Sequence, residues 1–546
     1  MRSRAIALAV VAGVALADAS IVTLALPNIL RDLDTTIEGV AAVIGIYTFV
    51  LALALVPFER AAARHSVKAV GAGGFALLAA ASAACAAAGG LPVLLAGRGA
   101  QALGGAAGLA TVFDLLGGGE GRGRRLWVWA AVFATAVGPA LGGALTQAFS
   151  WRAIFVFQVP VAAGGAIAVL AGPAGAPAPP PGPARRLALR PAFALALVSA
   201  ALSAVLFLLV LLLVAGWNVS PLRAAAAVTV IPVAAVAGAR IRGDQRARAV
   251  AGCAMVGGGV LALAWLPTAS LWWTVVPQAL AGAGMGLALT ALGGGLLPER
   301  TPRDAARLLA IRHAGIAAIL VVAAPIAAHQ LDSATLKARE RGVALVLDAS
   351  LPPVEKIKLA PALLKGVQAD QPRAGLRRAV AAERGRFEGA DLVAFDELGR
   401  RADDTLVTAV GDAFRSSFVI AGAAAFLAAL LLLAGARLAG LIAVAGALAL
   451  AAPIAYAGLY GAIAPEPPAI LDPCTAKRAP PSTGGVGGFL QRQALALLDR
   501  TACRLGSSRE ELVLALADEQ DAERFQREHG VNPRSLGGLL QVLLGG

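Results

Sequence analysis

Apolar residues fall into thirteen blocks along the chain, and each block is about as long as a helix that crosses a bilayer. Short polar connections separate most of the blocks, and the charged residues within the blocks are few and lie mostly near the block ends. The pattern therefore predicts membrane-spanning helices. The predicted spans lie at residues 5–26, 40–57, 68–88, 92–116, 126–148, 152–172, 192–215, 222–241, 248–267, 271–297, 303–328, 415–434 and 437–463.

Three polar or proline-rich stretches interrupt this pattern and divide the chain. They favour an all-α polytopic membrane protein with two six-helix bundles and one additional C-terminal span. The predicted domains are an N-terminal bundle at 1–172, a cytoplasmic Pro/Ala-rich linker at 173–190, a C-terminal bundle at 191–434 with an extracytoplasmic loop at 329–414, an additional span at 435–463 and an extracytoplasmic helical tail at 464–546.

Composition agrees with this class, since 58% of the 546 residues are hydrophobic and only 15% are charged. The net charge of +14 raises the question of nucleic-acid binding. However, residues 329–414 hold 13 basic and 13 acidic side chains, and residues 464–546 hold 9 and 10. The positive excess therefore lies in the membrane part, mainly in its short connections, and no nucleic-acid partner is predicted.

The basic residues of the short connections alternate along the chain and set an orientation. They follow the even-numbered spans, whereas the odd-numbered connections carry few of them. By the positive-inside rule the N-terminus and the even connections are cytoplasmic, in a multi-pass protein of a bacterial cytoplasmic membrane. The loop at 329–414 and the tail are then extracytoplasmic. The residues that carry this assignment are Arg60, Arg64, Lys68, Arg122, Arg124, Arg125, Arg185, Arg186, Arg190, Arg240, Arg242, Arg246, Arg248, Arg300, Arg303 and Arg307.

The fifth span contains residues that usually interrupt helices: Gly138, Pro139, Gly142 and Gly143 stand in the segment "GPALGG". In lipid, small residues let two helix backbones approach closely, and neighbouring groups satisfy the carbonyl that proline leaves free. The segment therefore indicates a bendable helix that touches a partner tightly. Ordinary small-residue packing is the alternative.

Several segments resemble one family. "GPALGG" followed by "SWRAIFVFQVP", with Trp151 and Arg152, is similar to the fifth-helix antiporter motif and sixth-helix start of the drug:proton antiporters of the major facilitator superfamily, in particular their fourteen-span multidrug exporter branch. "DASIVTLALPNI", "RGAQALGGAAG" and "WNVSPLRAAAAVTVIP" resemble further segments of that branch. The resemblance implies alternating access, export against protons, and a conformational motif formed by Gly138, Pro139, Gly142, Gly143, Trp151 and Arg152.

Polar residues inside the spans are the candidate coupling and substrate residues, because such residues usually face a cavity or a partner. Asp18 can take up and release a proton, and Arg98 can act as a fixed charge or a hydrogen-bond clamp. A structural role for each is the alternative. The predicted proton-coupling and substrate-cavity set is Asp18, Arg98, Gln101, Gln158, Gln278 and His313.

The predicted function is export of a small, drug-like, amphipathic or cationic organic compound in exchange for protons. Its partners are that substrate, protons and the lipid bilayer. A metabolite uniporter or symporter and a transport-inactive scaffold or sensor are alternatives; the loop after the second span, "PFERAAARHSVK", lacks the glycines of the superfamily motif and favours the scaffold. No Walker pattern, metal-ligand spacing or hydrolytic cluster is present in the sequence, so no cofactor, metal or enzymatic activity is predicted.

The four cysteines divide into two pairs by position. Cys85 and Cys253 lie in spans and are expected to be free. Cys474 and Cys503 lie in the tail, which the charge pattern places in an oxidising space where disulfides persist. These two are expected to form a disulfide.

The orientation is directly testable. Residues 350 and 520 should both be accessible to an impermeant thiol reagent applied to intact cells after cysteine substitution, and residue 180 should not. Labelling of residues 350 and 520 from opposite sides of the membrane would show that the last span was miscounted.

Overall fold

The computed structural model describes residues 2–117, 121–172, 187–297, 299–367, 372–434, 440–475 and 485–535, and every regular element in these ranges is helical. The predicted linker lies mostly outside the described residues. Short π-helical turns at Leu211–Gly216 and Leu292–Leu296 extend α8 and α12. The helices are α1 (Arg2–Thr23), α2 (Leu26–Asp32), α3 (Ile37–Arg64), α4 (Val67–Ala86), α5 (Leu91–Leu115), α6 (Gly121–Ala148), α7 (Arg152–Leu170), α8 (Leu189–Val210), α9 (Pro221–Val228), α10 (Val230–Ala239), α11 (Gln245–Ala262), α12 (Leu271–Ala291), α13 (Pro302–Asp348), α14 (Pro353–Val367), α15 (Pro372–Glu383), α16 (Gly389–Leu433), α17 (Gly440–Ile463), α18 (Gly485–Leu505), α19 (Arg509–Ala517) and α20 (Glu519–His529).

Eleven helices among the described residues are long and apolar enough to cross a membrane. Helices α5 and α6 occupy the positions of the fourth and fifth predicted spans and are not in that set. Arg98, Gln101 and several glycines lower the hydropathy of α5, and α6 contains residues whose side chains are not described. The protein is an all-helical, polytopic membrane protein, as the hydropathy pattern predicts.

Two helices are much longer than the spans predicted for them. Helix α13 has 47 residues and α16 has 45, whereas a bilayer core needs about 20. The predicted eleventh span ends at residue 328, but the helix continues because the alanine-rich sequence after it contains no proline before residue 352. The loop at 329–414 therefore begins and ends within helices that belong to the spans.

The chain forms two compact units. Unit 1 comprises residues 1–215, 219–329 and 414–462, and unit 2 comprises residues 216–218, 330–413 and 463–546. Unit 1 contains the apolar helices, and we call α1–α7 its first half and α8–α12, with the membrane parts of α13 and α16, its second half. Unit 2 combines the loop at 329–414 with the tail at 464–546, two regions that lie far apart in the sequence.

Glycines bring helices of unit 1 into backbone contact, and both halves do this at corresponding places. In the first half, a Cβ on Gly104 of α5 would lie 2.5 Å from the Leu78 amide nitrogen of α4. In the second half, a Cβ on Gly252 of α11 would lie 2.5 Å from the Ala288 nitrogen of α12. Close approach of this kind supplies the van der Waals contact that holds helices together in lipid, where hydrophobic association is weak.

The additional helix α17 packs on the second half. Ala445 shares a buried apolar cluster with Met255 of α11 and Leu287 of α12. Further along the helix, the Tyr456 hydroxyl donates a hydrogen bond of 2.8 Å to the Trp273 carbonyl. These contacts pack α17 against α11 and α12 of unit 1.

Unit 2 is held by contacts between the loop and the tail. Val343 of α13, Leu364 of α14 and Leu514 of α19 form one buried cluster. Arg339 of α13 forms an ion pair with Asp521 of α20. These contacts join segments about 180 positions apart, so neither segment folds by local interactions alone.

A buried arginine strengthens the same connection. The fully buried Arg509 guanidinium contacts Asp348 at 3.0 Å and Glu510 at 2.9 Å. Such a buried charge is stable only while its partners remain in place. Arg509 therefore makes the tail dependent on the end of α13.

Within unit 2, Cys474 and Cys503 are bonded, with an S–S distance of 2.04 Å and a sequence separation of 29. Cys85 and Cys253 are buried and unpaired. The bond ties the segment after α17 to the last turn of α18. The bond thereby closes a loop in the part of the tail that precedes Leu514, the tail residue of the buried cluster with Val343 and Leu364.

The disulfide should be detectable and should matter for stability. Mass spectrometry of the non-reduced protein should show Cys474 and Cys503 in one cross-linked peptide, resistant to alkylation. Cys474→Ser should lower the free energy of unfolding of unit 2 by about 3–4 kcal/mol, because the unfolded chain loses a loop constraint. Alkylation of both tail thiols without reductant would exclude the bond in the native protein.

Candidate functional site

A buried ion pair lies in the middle of the first half. Asp18 of α1 is 1% exposed and Arg98 of α5 is 0% exposed. Two guanidinium nitrogens donate to the two carboxylate oxygens, and the Nη1–Oδ1 distance is 2.9 Å. Such a bidentate pair fixes the relative orientation of both side chains.

Amide side chains complete the surroundings of this pair. Gln158 of α7 donates to Asp18 Oδ1 at 2.7 Å. Gln101 accepts from Arg98 at 2.9 Å and donates to Gln158 Oε1 at 2.8 Å and to Ser82 Oγ of α4 at 2.7 Å. Each buried polar group therefore supports another, so the cluster joins four helices through hydrogen bonds.

Arg98 also has partners that do not depend on Asp18. Its Nε donates to the Val43 carbonyl of α3 at 3.0 Å. Its guanidinium carbon lies 4.4 Å from the ring centroid of Tyr47, whose hydroxyl donates to the Ala15 carbonyl of α1 at 2.9 Å. A cation above an aromatic face is stabilised by the ring quadrupole. Arg98 thus stays partly satisfied if the Asp18 carboxylate is neutralised.

A separate cavity of about 600 Å³ lies between the two halves of unit 1. Its volume is within the range of small-molecule sites. Its wall is mainly apolar, with Leu16 of α1, Leu195 of α8, and Met285 and Leu289 of α12. Its charged residues are Arg124, Arg240, Glu299 and Arg312. Three of these stand next to the basic connections, so the cavity reaches the basic end of the bundle.

None of the six predicted coupling and substrate residues lines this cavity. Asp18 and Gln158 line a void of only about 10 Å³ inside the first half. The reason is helical phase: successive residues turn by about 100°, so Leu16 and Asp18 point in nearly opposite directions from α1. Leu16 faces the cavity, and Asp18 faces Arg98. The six residues therefore lie apart from the large cavity, and their roles in proton coupling or substrate binding stay a prediction.

The two candidates of the second half lie apart from the ion pair. His313 is buried beside a smaller void of about 70 Å³ between the halves, and its Nδ1 lies 2.7 Å from the Leu309 carbonyl. Gln278 of α12 is buried and donates to Thr274 Oγ1 at 2.8 Å, one turn away on the same helix. Neither side chain contacts the cluster of Asp18 and Arg98.

The glycines of α6 face two different helices. A Cβ on Gly142 would lie 2.1 Å from the Ile21 carbonyl oxygen of α1, and a Cβ on Gly138 would lie 2.0 Å from Ser20 Oγ. Residues four apart share one helix face, so this face packs on α1. A Cβ on Gly143 would instead meet Ala225 of α9 at 2.4 Å. Helix α6 therefore contacts α1 on one face and the second half on another.

Pro139 is buried between these glycines, and α6 continues through it. Trp151 and Arg152 follow at the start of α7. The Trp151 indole donates to Asp32 at 2.9 Å, and Arg152 donates to the Ala88 carbonyl at 3.1 Å. These two residues anchor the start of α7 to the ends of α2 and α4. They do not contact the cavity.

Sequence reasoning missed a contact between the halves at the basic end. Trp127 of α6 donates a 2.8 Å hydrogen bond to Glu299, which precedes α13. Burial raises the pKa of the Glu299 carboxyl above its ordinary value, while the Trp127 hydrogen bond and the charges of Arg124 and Arg312 act in the opposite direction. Glu299 lies in a short connection, where periodicity carries no information about burial.

The site thus has three separate parts: the buried pair of Asp18 and Arg98 inside the first half, the cavity between the halves, and the glycines of α6 against α1 and α9. Two bundles of membrane-spanning helices around a central cavity are the architecture of many membrane transporters.

Comparisons with known proteins agree with that class. Residues 8–324 match the family described as the Major Facilitator Superfamily, and the chain belongs to it. The protein is therefore a membrane transporter of this superfamily. No curated protein sequence matches the chain.

Solved structures show the same fold. A bacterial homolog of the human lysosomal transporter Spinster in an inward-facing and occupied conformation aligns with TM-score 0.54 and 16% identity, covering 79% of this chain and 95% of that one. The inward-facing and unoccupied conformation aligns with TM-score 0.50 and 15% identity, covering 79% and 98%. At this identity the likeness concerns the fold.

The glycine faces of α6 yield a stability prediction. Gly142→Ala should lower the melting temperature of the purified protein, because the new methyl group would push α6 away from the α1 backbone at a cost of about 1–3 kcal/mol. Gly164→Ala in α7 is the matched control, since a Cβ there meets nothing within 4 Å. Equal melting temperatures for the two variants would contradict the close contact.

Proposed function

We propose that the protein is a secondary active transporter that exports a small, drug-like amphipathic compound across the cytoplasmic membrane in exchange for protons, by alternating access. The observation that carries the proposal is the position of Asp18. Its carboxylate is buried against Arg98, on a helix that contacts α6 on another face and the central cavity on a third.

Protonation of Asp18 would weaken the interaction that fixes α1 to α5. The neutral acid loses the charge–charge attraction to Arg98, and only one of its two oxygens remains a good acceptor, so the bidentate pair between α1 and α5 is weakened. Arg98 keeps the Val43 carbonyl, Gln101 and the Tyr47 ring. The cluster thus tolerates either protonation state, as a reversible proton site requires.

Movement of α1 would reach the second half through α6. Helices α1 and α6 are in close contact where Gly138 meets the Ser20 side chain and Gly142 meets the Ile21 backbone, so a shift of α1 would displace α6. Gly143 lies one residue further on, against Ala225 of α9. The α6–α9 contact lies at the end of α6 opposite the basic connections. A proton on Asp18 would therefore act on the closure at that end.

The positive-inside rule supports assigning the basic end to the cytoplasm. With this orientation the central cavity reaches the cytoplasmic side, and the α6–α9 contact closes the outer side. The ionised pair then belongs to an inward-open, proton-released state. Strict exchange requires that the unprotonated, substrate-free protein does not change from the inward-open to the outward-open conformation. Binding of substrate, or protonation of Asp18, permits that change.

Proton-driven flux tests the proposal. Proteoliposomes with a pH gradient should move one or both of two fluorescent amphiphiles that share a tail and carry opposite head charges. Asp18→Asn should abolish acceleration by the gradient and retain exchange without a gradient, because the amide cannot change its charge. Arg98→Lys should also impair driven flux, since lysine lacks the planar fork of donors.

The matched control is Asp34→Asn, the same chemical change at an exposed position with φ of 43°, which asparagine also adopts. It should transport at the wild-type rate. Wild-type driven flux in Asp18→Asn would move proton coupling to another group. Flux that never responds to the gradient would indicate a uniporter, and the absence of any flux would favour a membrane scaffold.

A further inference from the structure

The central cavity contains an arginine, Arg312, whose guanidinium has no hydrogen-bond or ion-pair partner among the described residues. Arg312 of α13 lines both the large cavity and the smaller void beside His313. Among the described residues, no group forms a hydrogen bond or an ion pair with its guanidinium, and Glu299 acts on it only at longer range. Arginine retains its proton, so this site holds a positive charge with five free donors.

The surroundings of Arg312 differ from those of Arg98. Arg98 is enclosed by Asp18, Gln101 and a backbone carbonyl. Arg312 has no comparable set of acceptors, although the surrounding wall is largely apolar. A charge in such surroundings is costly unless a counter-charge reaches it. An anion brought by a ligand would supply that counter-charge.

The other charged residues of the cavity also favour a negatively charged ligand. Arg124 and Arg240 stand near its basic end, and Glu299 is its one acid among the described lining residues. That acid already accepts a hydrogen bond from Trp127. The lining carries a net positive charge whether or not Glu299 is ionised. A cationic substrate, one of the options predicted from sequence, would meet repulsion here.

We infer that the cavity binds an amphipathic organic anion, with its acidic head on Arg312 and its apolar body against the walls formed by Leu16, Leu195, Met285 and Leu289. The inference rests on the proposed function in one respect, namely that this cavity is the substrate site. The volume of about 600 Å³ accommodates a single-chain amphiphile with a small acidic head.

Binding in neutral bilayers tests the charge preference without requiring transport. The protein is placed in phosphatidylcholine nanodiscs and loaded with a radiolabelled alkyl phosphate. Competitors with the same tail and a phosphate, a trimethylammonium or an uncharged glucoside head are then compared. The phosphate should compete best. Arg312→Gln should weaken alkyl phosphate binding by about 10- to 100-fold, as loss of a hydrogen bond to a charged group predicts.

Two further variants keep the test decisive. Arg312→Lys should retain most of the affinity, because it preserves the charge. Arg246→Gln should bind as the wild type does, since Arg246 does not line the cavity and donates to the Ala434 carbonyl at an exposed site. If Arg312→Gln does not fold, the inference is still tested by two results: the order in which the three head groups compete for the wild-type protein, and the affinity of Arg312→Lys for the alkyl phosphate.

Adding phosphatidylglycerol to the nanodiscs distinguishes an anionic bilayer lipid from a free anionic amphiphile as the ligand. Displacement of the alkyl phosphate would identify an anionic bilayer lipid as the occupant, and undiminished binding would identify a free amphiphile. Wild-type affinity in Arg312→Gln, or stronger competition by the trimethylammonium head, would overturn the inference. Arg312-dependent binding without gradient-driven flux would instead overturn only the proposed function.

Discussion

A charged group inside a membrane-spanning bundle requires a counter-charge, and this requirement organises the first half of the protein. An unpaired charge at the bilayer centre costs about 2.5–3.5 kcal/mol on insertion scales. Asp18 and Arg98 avoid that cost by pairing. Removing one member of such a pair leaves the other buried, which explains why Arg98 also contacts Val43 and Tyr47. The pair fixes α1 against the rest of its bundle.

The three faces of α1 then account for the arrangement around it. One face holds Asp18 in the polar cluster, a second packs against α6 at Ile21, and a third presents Leu16 to the cavity. At Gly142 the α1–α6 contact is made by backbone atoms, so there is no room there for a larger side chain. The glycines and the proline of α6 therefore belong in this helix: bulkier side chains would separate α6 from α1 and from α9.

The second half contributes a charge of a different kind. Arg312 faces the space that a ligand would occupy, and no described residue neutralises it. Under the proposed function, the paired charge of Arg98 would belong to a proton switch and the charge of Arg312 would bind the ligand. The polar cluster of the first half lies apart from the cavity wall.

The sequence was sufficient for some of these features and insufficient for others. Hydropathy predicted the eleven spans found among the described residues, and a charge in an apolar run identified Asp18 and Arg98. The direction of Asp18 was not predictable, because α1 is apolar on all sides and no polar face marks its rotation. Arg312 and His313 were both visible, but only packing shows which of two neighbours faces the cavity.

Unit 2 was unpredictable for a related reason. Its loop and tail join through Arg339 and Asp521, and through Arg509 and Asp348. These pairs are separated by more than 160 positions. Both segments have balanced charge and short amphipathic helices, so nothing local in either one identifies the other as its partner.

The claim that protonation of Asp18 acts on the α6–α9 closure is tested most directly by a distance across it. Spin labels at Phe149→Cys, just after the end of α6, and at Leu222→Cys in α9, both exposed positions, report the separation of the two helices by pulsed electron paramagnetic resonance. Without substrate, acidic pH should populate longer distances and alkaline pH should keep the short one, whereas Asp18→Asn should give one distribution at both. Distances that do not respond to pH in the wild type, or that respond equally in Asp18→Asn, would contradict the account.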